Sequence, residues 1–165
     1  MLYPQRKSPR LKGFDYSAVG VYFITICTAG HRCILSTVEG GGDLDAPQLH
    51  LTSYGKIVEQ NILKMNEIYT NLSVEKFVIM PNHIHLLLHV TTSSQNGPSR
   101  SPAPPNAVVP RYVATLKRFC NQQCGFPIWQ RSFDDRIIRN NAMYDRVWNY
   151  IDTNPIKWQL DRYHY

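Results

Sequence analysis

"VIMPNHIHLLLHV", residues 78–90, decides how this chain folds. Two apolar runs rich in β-branched residues and leucine meet at Pro81 and Asn82, a turn dipeptide, so 72–81 and 83–90 read as two strands of a hairpin. Within the second run His83 and His85 lie two apart. Strand alternation puts both imidazoles on one face and Ile84 on the other. Two adjacent imidazoles are half of a divalent-metal site. For an isolated pair of this kind, histidines hydrogen-bonded near a sheet edge are the better account. His89 shares their parity, with Leu87 between.

Working outward, "VGVYFITICT" (19–28) reads as a central strand, and 33–52 as two short strands around the glycine turn at 40–42. From Ser53, "SYGKIVEQNILKMNEIY" spaces Ile57, Ile62, Leu63 and Met65 as a helix does. Residues 91–106, "TTSSQNGPSRSPAPPN", form a Pro/Ser-rich loop within the domain. A helix follows over 108–124, then a short strand or extended segment in "FPIWQRSF" (126–133). A last helix over 142–152 ends before Asn154-Pro155. The order implies one α+β domain over 1–165, a ferredoxin-like antiparallel sheet with helices packed on one face and a basic N-terminal arm (1–18).

The composition narrows the classes of function. A 43% hydrophobic and 12% aromatic content in 165 residues suits one globular domain. The net charge of +6 and pI of about 9.2 favour an anionic partner, nucleic acid being the commonest. No apolar run is long enough for a bilayer and no signal-peptide core follows the basic start, so a cytoplasmic protein without a membrane partner is expected. Cys27, Cys33, Cys120 and Cys124 form no CxxC pair and read as free thiols.

The last helix, "NAMYDRVWNYIDTNP", places Tyr144, Val147, Trp148 and Ile151 on one apolar stripe. Tyr150 and Asn154, four apart, share the flank of that stripe beside Arg146. A hydroxyl and an amide on one edge could face the histidines; from spacing alone an amphipathic tyrosine and a helix-ending asparagine are the better account. Basic residues gather in the arm (Arg6, Lys7, Arg10, Lys12), on the 108–124 helix (Lys117, Arg118) and in "WQRSFDDRIIR" (Arg131, Arg136, Arg139). Tyr16, Trp129, Phe133, Trp148 and Trp158 accompany them, a mixture suited to phosphates and unpaired bases.

Four ordered stretches, "RLKGFDYSAVGVYFITICT", "VIMPNHIHLLL", "IWQRSFDDRIIR" and "YIDTNPIKW", closely resemble the HUH single-tyrosine transposases, nearest the REP-associated tyrosine transposase branch. The resemblance spans about residues 6–162. It implies an HUH-type catalytic core in which His83, His85 and Asn154 bind Mg²⁺ or Mn²⁺ and Tyr150 is the nucleophile. It further implies cleavage of single-stranded or hairpin DNA through a 5′-phosphotyrosine intermediate, with Arg10 and Lys12 foremost among the DNA contacts. Imidazole and amide ligands are softer than Mg²⁺ prefers, which favours Mn²⁺. "SFDDRIIR" departs from relatives, which often show tyrosine or histidine at Asp134. A chain of this length is expected to lack the companion domain found beside some insertion-sequence transposases, which leaves open whether it moves itself or acts on dispersed repeats. Insertion-sequence relatives dimerise while the REP-associated branch acts as a monomer, so homodimer and monomer both stay open. A catalytically silent hairpin DNA or RNA binder of the same fold is the alternative, and a hydrolase using activated water a third class.

Overall fold

The computed structural model describes residues 19–40, 46–91, 108–161, 163 and 164. The basic arm, with Arg6, Lys7, Arg10, Lys12 and Tyr16, lies outside them, as does nearly all of the 91–106 loop. The strands are β1 (Gly20–Cys27), β2 (Ser36–Glu39), β3 (Gln48–Leu51), β4 (Leu72–Ile79), β5 (His83–Val90) and β6 (Asp134–Ile138). The helices are α1 (Ser53–Ile68), α2 (Val108–Cys124) and α3 (Asn141–Thr153). Strands β4-β5-β1-β6 form one antiparallel sheet, and β2 pairs with β3 as a separate ribbon. With that ribbon set aside, β1-α1-β4-β5-α2-β6 is the ferredoxin-like order expected from the sequence.

Register fixes what each face carries. Thr25 pairs with His85, Cys27 with His83, and Phe23 with Leu87 on one side and Arg136 on the other. Paired residues share a face, so Phe23, Thr25, His83, His85, Leu87, Asp134 and Arg136 point one way. The opposite face, with Ile24, Ile26, Ile84, Leu86 and Leu88, packs against Val58, Ile62 and Met65 of α1 and Val109, Tyr112 and Leu116 of α2. β5 is apolar almost throughout because both of its faces are covered.

Three expectations change in detail. Helices α1 and α2 do lie on one face, but α3 crosses the other, seating Val147 and Ile151 on Leu87. On α1 the buried apolar positions are Val58, Ile62 and Met65, whereas Leu63 is exposed. The segment 126–133 contributes only the isolated bridge Thr28–Trp129, and the strand lies further on, at β6. β6 is an edge strand whose alternate residues Asp134 and Arg136 are exposed, so its pattern is too polar to read as a strand. Trp129, Phe133 and Trp158 are buried and serve packing. All four cysteines are free thiols. No helix among the described residues is long and apolar enough to cross a membrane.

Candidate active site

His83 and His85 are 0% and 1% exposed, on the face that α3 covers. Their Nε2 atoms lie 3.1 Å apart. The Nδ1 of His83 lies 2.8 Å from Oδ1 of Asn82, whose Nδ2 donates to the carbonyl of Tyr163. That carbonyl only accepts, so the Asn82 amide is oriented with its oxygen toward His83, and His83 carries its proton on Nδ1. In the neutral imidazole this leaves the lone pair on Nε2, the atom that faces His85. Nδ1 of His85 lies 2.8 Å from Oγ1 of Thr25, a hydroxyl able to donate or accept and so to suit either tautomer. Such partners fix the orientation of imidazole ligands.

After α3 the chain turns back over this pair. Trp158 and Tyr163 stand 6.0 and 4.6 Å, ring to ring, from His83. Asp161, absent from the sequence-based set, brings Oδ2 to 4.0 Å from His83 Nε2 with its side chain 3% exposed. The ligand atoms of His83, His85 and Asp161 lie within 4.8 Å of one another. Sequence reasoning missed Asp161 because only the return of the chain after Pro155 brings it there. Helix α3 is capped by Asn140, whose side chain accepts from Met143 N. Further along this helix the Tyr150 ring lies 5.3 Å from His85 and 6.0 Å, edge-on, from Phe23. Asn154 caps α3 at its C-terminus; it is 2% exposed, and its Oδ1 has no hydrogen-bond partner among the described residues.

His83, His85 and Asp161 fit a divalent cation. Ligands at about 2.1 Å on neighbouring corners of an octahedron are about 3.0 Å apart, close to the observed Nε2 separation. A buried amide oxygen with no partner is otherwise costly, and a buried carboxylate beside two imidazoles completes a mixed nitrogen and oxygen donor set. His89, of the same parity, instead bonds Glu75 at 2.9 Å.

Among the described residues, the other sequence-predicted positions sit in other surroundings, with one exception. Lys117 donates to the carbonyls of Gln130, Arg131 and Ser132 at 2.8, 3.2 and 2.9 Å, which occupies the three donors of an ammonium group. Burial lowers its pKa to about 8, while the nearby Cys27 acts weakly the other way. Arg118 and Arg131 line a groove of about 440 Å³ with Lys117 and Phe133. Arg139 is exposed beyond the end of β6. Arg136 is the exception: it lines a cavity with His85 and Tyr150. Asp134 accepts from the Tyr163 hydroxyl at 3.1 Å, which gives that departure from the family pattern a structural partner.

No protein-family model matches the chain. An uncharacterized protein of Haemophilus influenzae (strain ATCC 51907 / DSM 11121 / KW20 / Rd) is 30% identical over 174 residues, covering 95% of this chain and 92% of that one. A structure of a REP-associated tyrosine transposase bound to a REP hairpin shares 21% identity and superposes with a TM-score of 0.61, over 98% of this chain and 77% of that one. The chain thus belongs to one family with the Haemophilus influenzae protein, and its fold is that of the REP-associated tyrosine transposase.

Proposed function

We propose that the protein is a metal-dependent endonuclease and strand transferase that cleaves single-stranded or hairpin DNA through a 5′-phosphotyrosine on Tyr150. The observation that carries this reading is the Tyr150 ring at 5.3 Å from His85, whose Nε2 meets that of His83 at 3.1 Å. A candidate nucleophile and a candidate metal site are thereby brought together within one chain.

His83, His85, Asp161 and Asn154 are the residues that would hold Mg²⁺ or Mn²⁺, and the two nitrogen donors favour Mn²⁺. A bound cation would polarise the scissile phosphate and offset the charge that builds on it. The chain's own groups do the rest. Tyr150 is 37% exposed, so its phenol proton can pass to solvent. Its oxygen forms a bond to phosphorus as the bond from phosphorus to O3′ breaks. The departing oxygen takes up a proton as a 3′-OH, and the phosphodiester energy is kept in the protein–DNA bond for resealing or transfer. The REP hairpin bound by the structural neighbour supports hairpin DNA as the substrate class.

The test is covalent capture. End-labelled DNA hairpins with unpaired flanks, incubated with Mn²⁺, should yield a protein–DNA adduct on denaturing gels with wild type and none with Tyr150→Phe. Equal adduct from both proteins sinks the assignment of Tyr150. Cleavage without adduct points to a water-using hydrolase, and salt-sensitive binding without cleavage to a silent binder.

A further inference from the structure

Helix α2 packs on the sheet face opposite the histidines, and the groove of about 440 Å³ runs between it and the segment leading into β6. Pro110, Val113 and Ala114, at helical spacing on α2, give the groove an aliphatic side. Arg118, one turn further along, and Arg131, from the facing segment, also line it, and both are exposed. The guanidinium carbon of Arg118 sits 5.2 Å from the centre of the Phe119 ring. No acidic residue lines the groove, and neither arginine has a carboxylate partner among the described residues.

The polar ends presented by Arg118, Arg131 and Asn121 are donors. Asn121 Oδ1 accepts from Ile128 N at 2.9 Å, which leaves its Nδ2 for a ligand. Lys117, by contrast, is taken up by the carbonyls of Gln130, Arg131 and Ser132 and ties the facing segment to α2. The groove therefore suits an anion with an aliphatic group beside it, as an acidic residue next to a leucine or isoleucine supplies. Nucleic acid matches less well, since its backbone carries no aliphatic side chain. Nor does the ring that lines the groove offer a stacking face: Phe133 is buried, with Lys117 Nζ 6.0 Å from its centre.

We propose that this groove docks an acidic peptide segment of a partner protein, with carboxylates on Arg118 and Arg131 and an aliphatic side chain against Pro110, Val113 and Ala114. Guanidinium forks meet carboxylates through two parallel bonds, and the aliphatic contact adds affinity that salt does not screen. The site lies across the sheet from Tyr150, so it leaves the histidine face open and stands independently of the nuclease reading.

The test is fluorescence anisotropy in EDTA at physiological salt. The probes are a fluorescein-labelled peptide of four aspartates followed by two leucines, and the same peptide with serines in place of the leucines. Wild type should prefer the leucine peptide about tenfold, as burial of one aliphatic side chain gives. Arg118→Gln/Arg131→Gln should weaken the leucine peptide about tenfold or more. Ala114→Phe, which fills the groove from an exposed position on α2, should weaken it as much with both charges intact. Arg118→Lys/Arg131→Lys should restore only part of the affinity, since an ammonium lacks the fork. Thermal melts check that each variant folds. No binding of the leucine peptide by wild type at millimolar protein, no preference over the serine peptide, or unchanged affinity in a folded Gln or Phe variant each overturns the proposal. Displacement of the peptide by a DNA hairpin, together with loss of hairpin affinity in Ala114→Phe, assigns the groove to nucleic acid and also overturns it.

Discussion

Asn82 shows how much one side chain settles. It occupies the turn before β5, where an asparagine is ordinarily solvated, yet it is fully buried and uses both ends of its amide. Its oxygen fixes the tautomer of His83, and its nitrogen ties that turn to the returning chain at Tyr163. Partners of this kind typically alter metal affinity 10–100-fold. Asn82→Ala is therefore expected to weaken Mn²⁺ binding by about that factor while the protein stays folded. Free Mn²⁺ measured by electron paramagnetic resonance during a titration reads the change directly. Unaltered Mn²⁺ affinity would show that His83 is oriented by other contacts.

At the scale of elements, two contacts fix where the helices sit. Helix α1 begins at Thr52, whose hydroxyl accepts from Gly55 N and also contacts the carbonyls of Ile34 and Leu35. Gly55 lies so close to Leu35 that an added Cβ would run into that carbonyl oxygen and sit 3.3 Å from Leu51 Cβ. Alanine gains about 1 kcal/mol over glycine in helix propensity, but overpacking costs about 1–3 kcal/mol and the obstacle here is backbone. Gly55→Ala should accordingly lower the urea midpoint; a higher midpoint would mean that the β2–β3 ribbon moves aside freely. Helix α3 is pinned to β4 by Lys76–Asp152 at 2.6 Å, by the Tyr144 hydroxyl on Glu75 at 2.7 Å, and by Lys76 at 4.0 Å from the centre of the Trp148 ring. These contacts tie α3, which carries Tyr150, to β4.

For the whole molecule, burial sets the response to alkali. Burial raises Cys120 from 9.0 to about 12, and desolvation with the bond to Glu75 raises Tyr144 from 10.0 to about 12. From about pH 9 upward the unfolded chain releases protons that the folded chain keeps, so these groups withdraw stability as pH rises. Lys117 acts in the opposite sense. Its folded pKa of about 8 lies below the ordinary 10.5, so between those values the unfolded chain holds the extra proton and stability rises with pH. Urea midpoints in reducing buffer should climb slightly from pH 8 to 9 and fall beyond about pH 10. Lys117→Met should lose the climb and keep the fall; a climb that persists in that variant would assign it to another group.

Periodicity in the sequence was enough for β1, β4, β5, α1, α2 and α3, because alternation and helical spacing are local consequences of which side chains meet water. It also put His83 and His85 on one face and set Tyr150 and Asn154 beside the packing stripe of α3. Strand β6 escaped that reading, since an edge strand with one open face is free to carry charges. So did the placement of α3 on the histidine face, which depends on Leu87 meeting Val147 and Ile151 across 60 residues of chain. Asp161, the inward amide of Asn82 and the cavity that Arg136 shares with Tyr150 have no local signature. Each depends on segments distant in sequence becoming neighbours, and tertiary packing alone decides that.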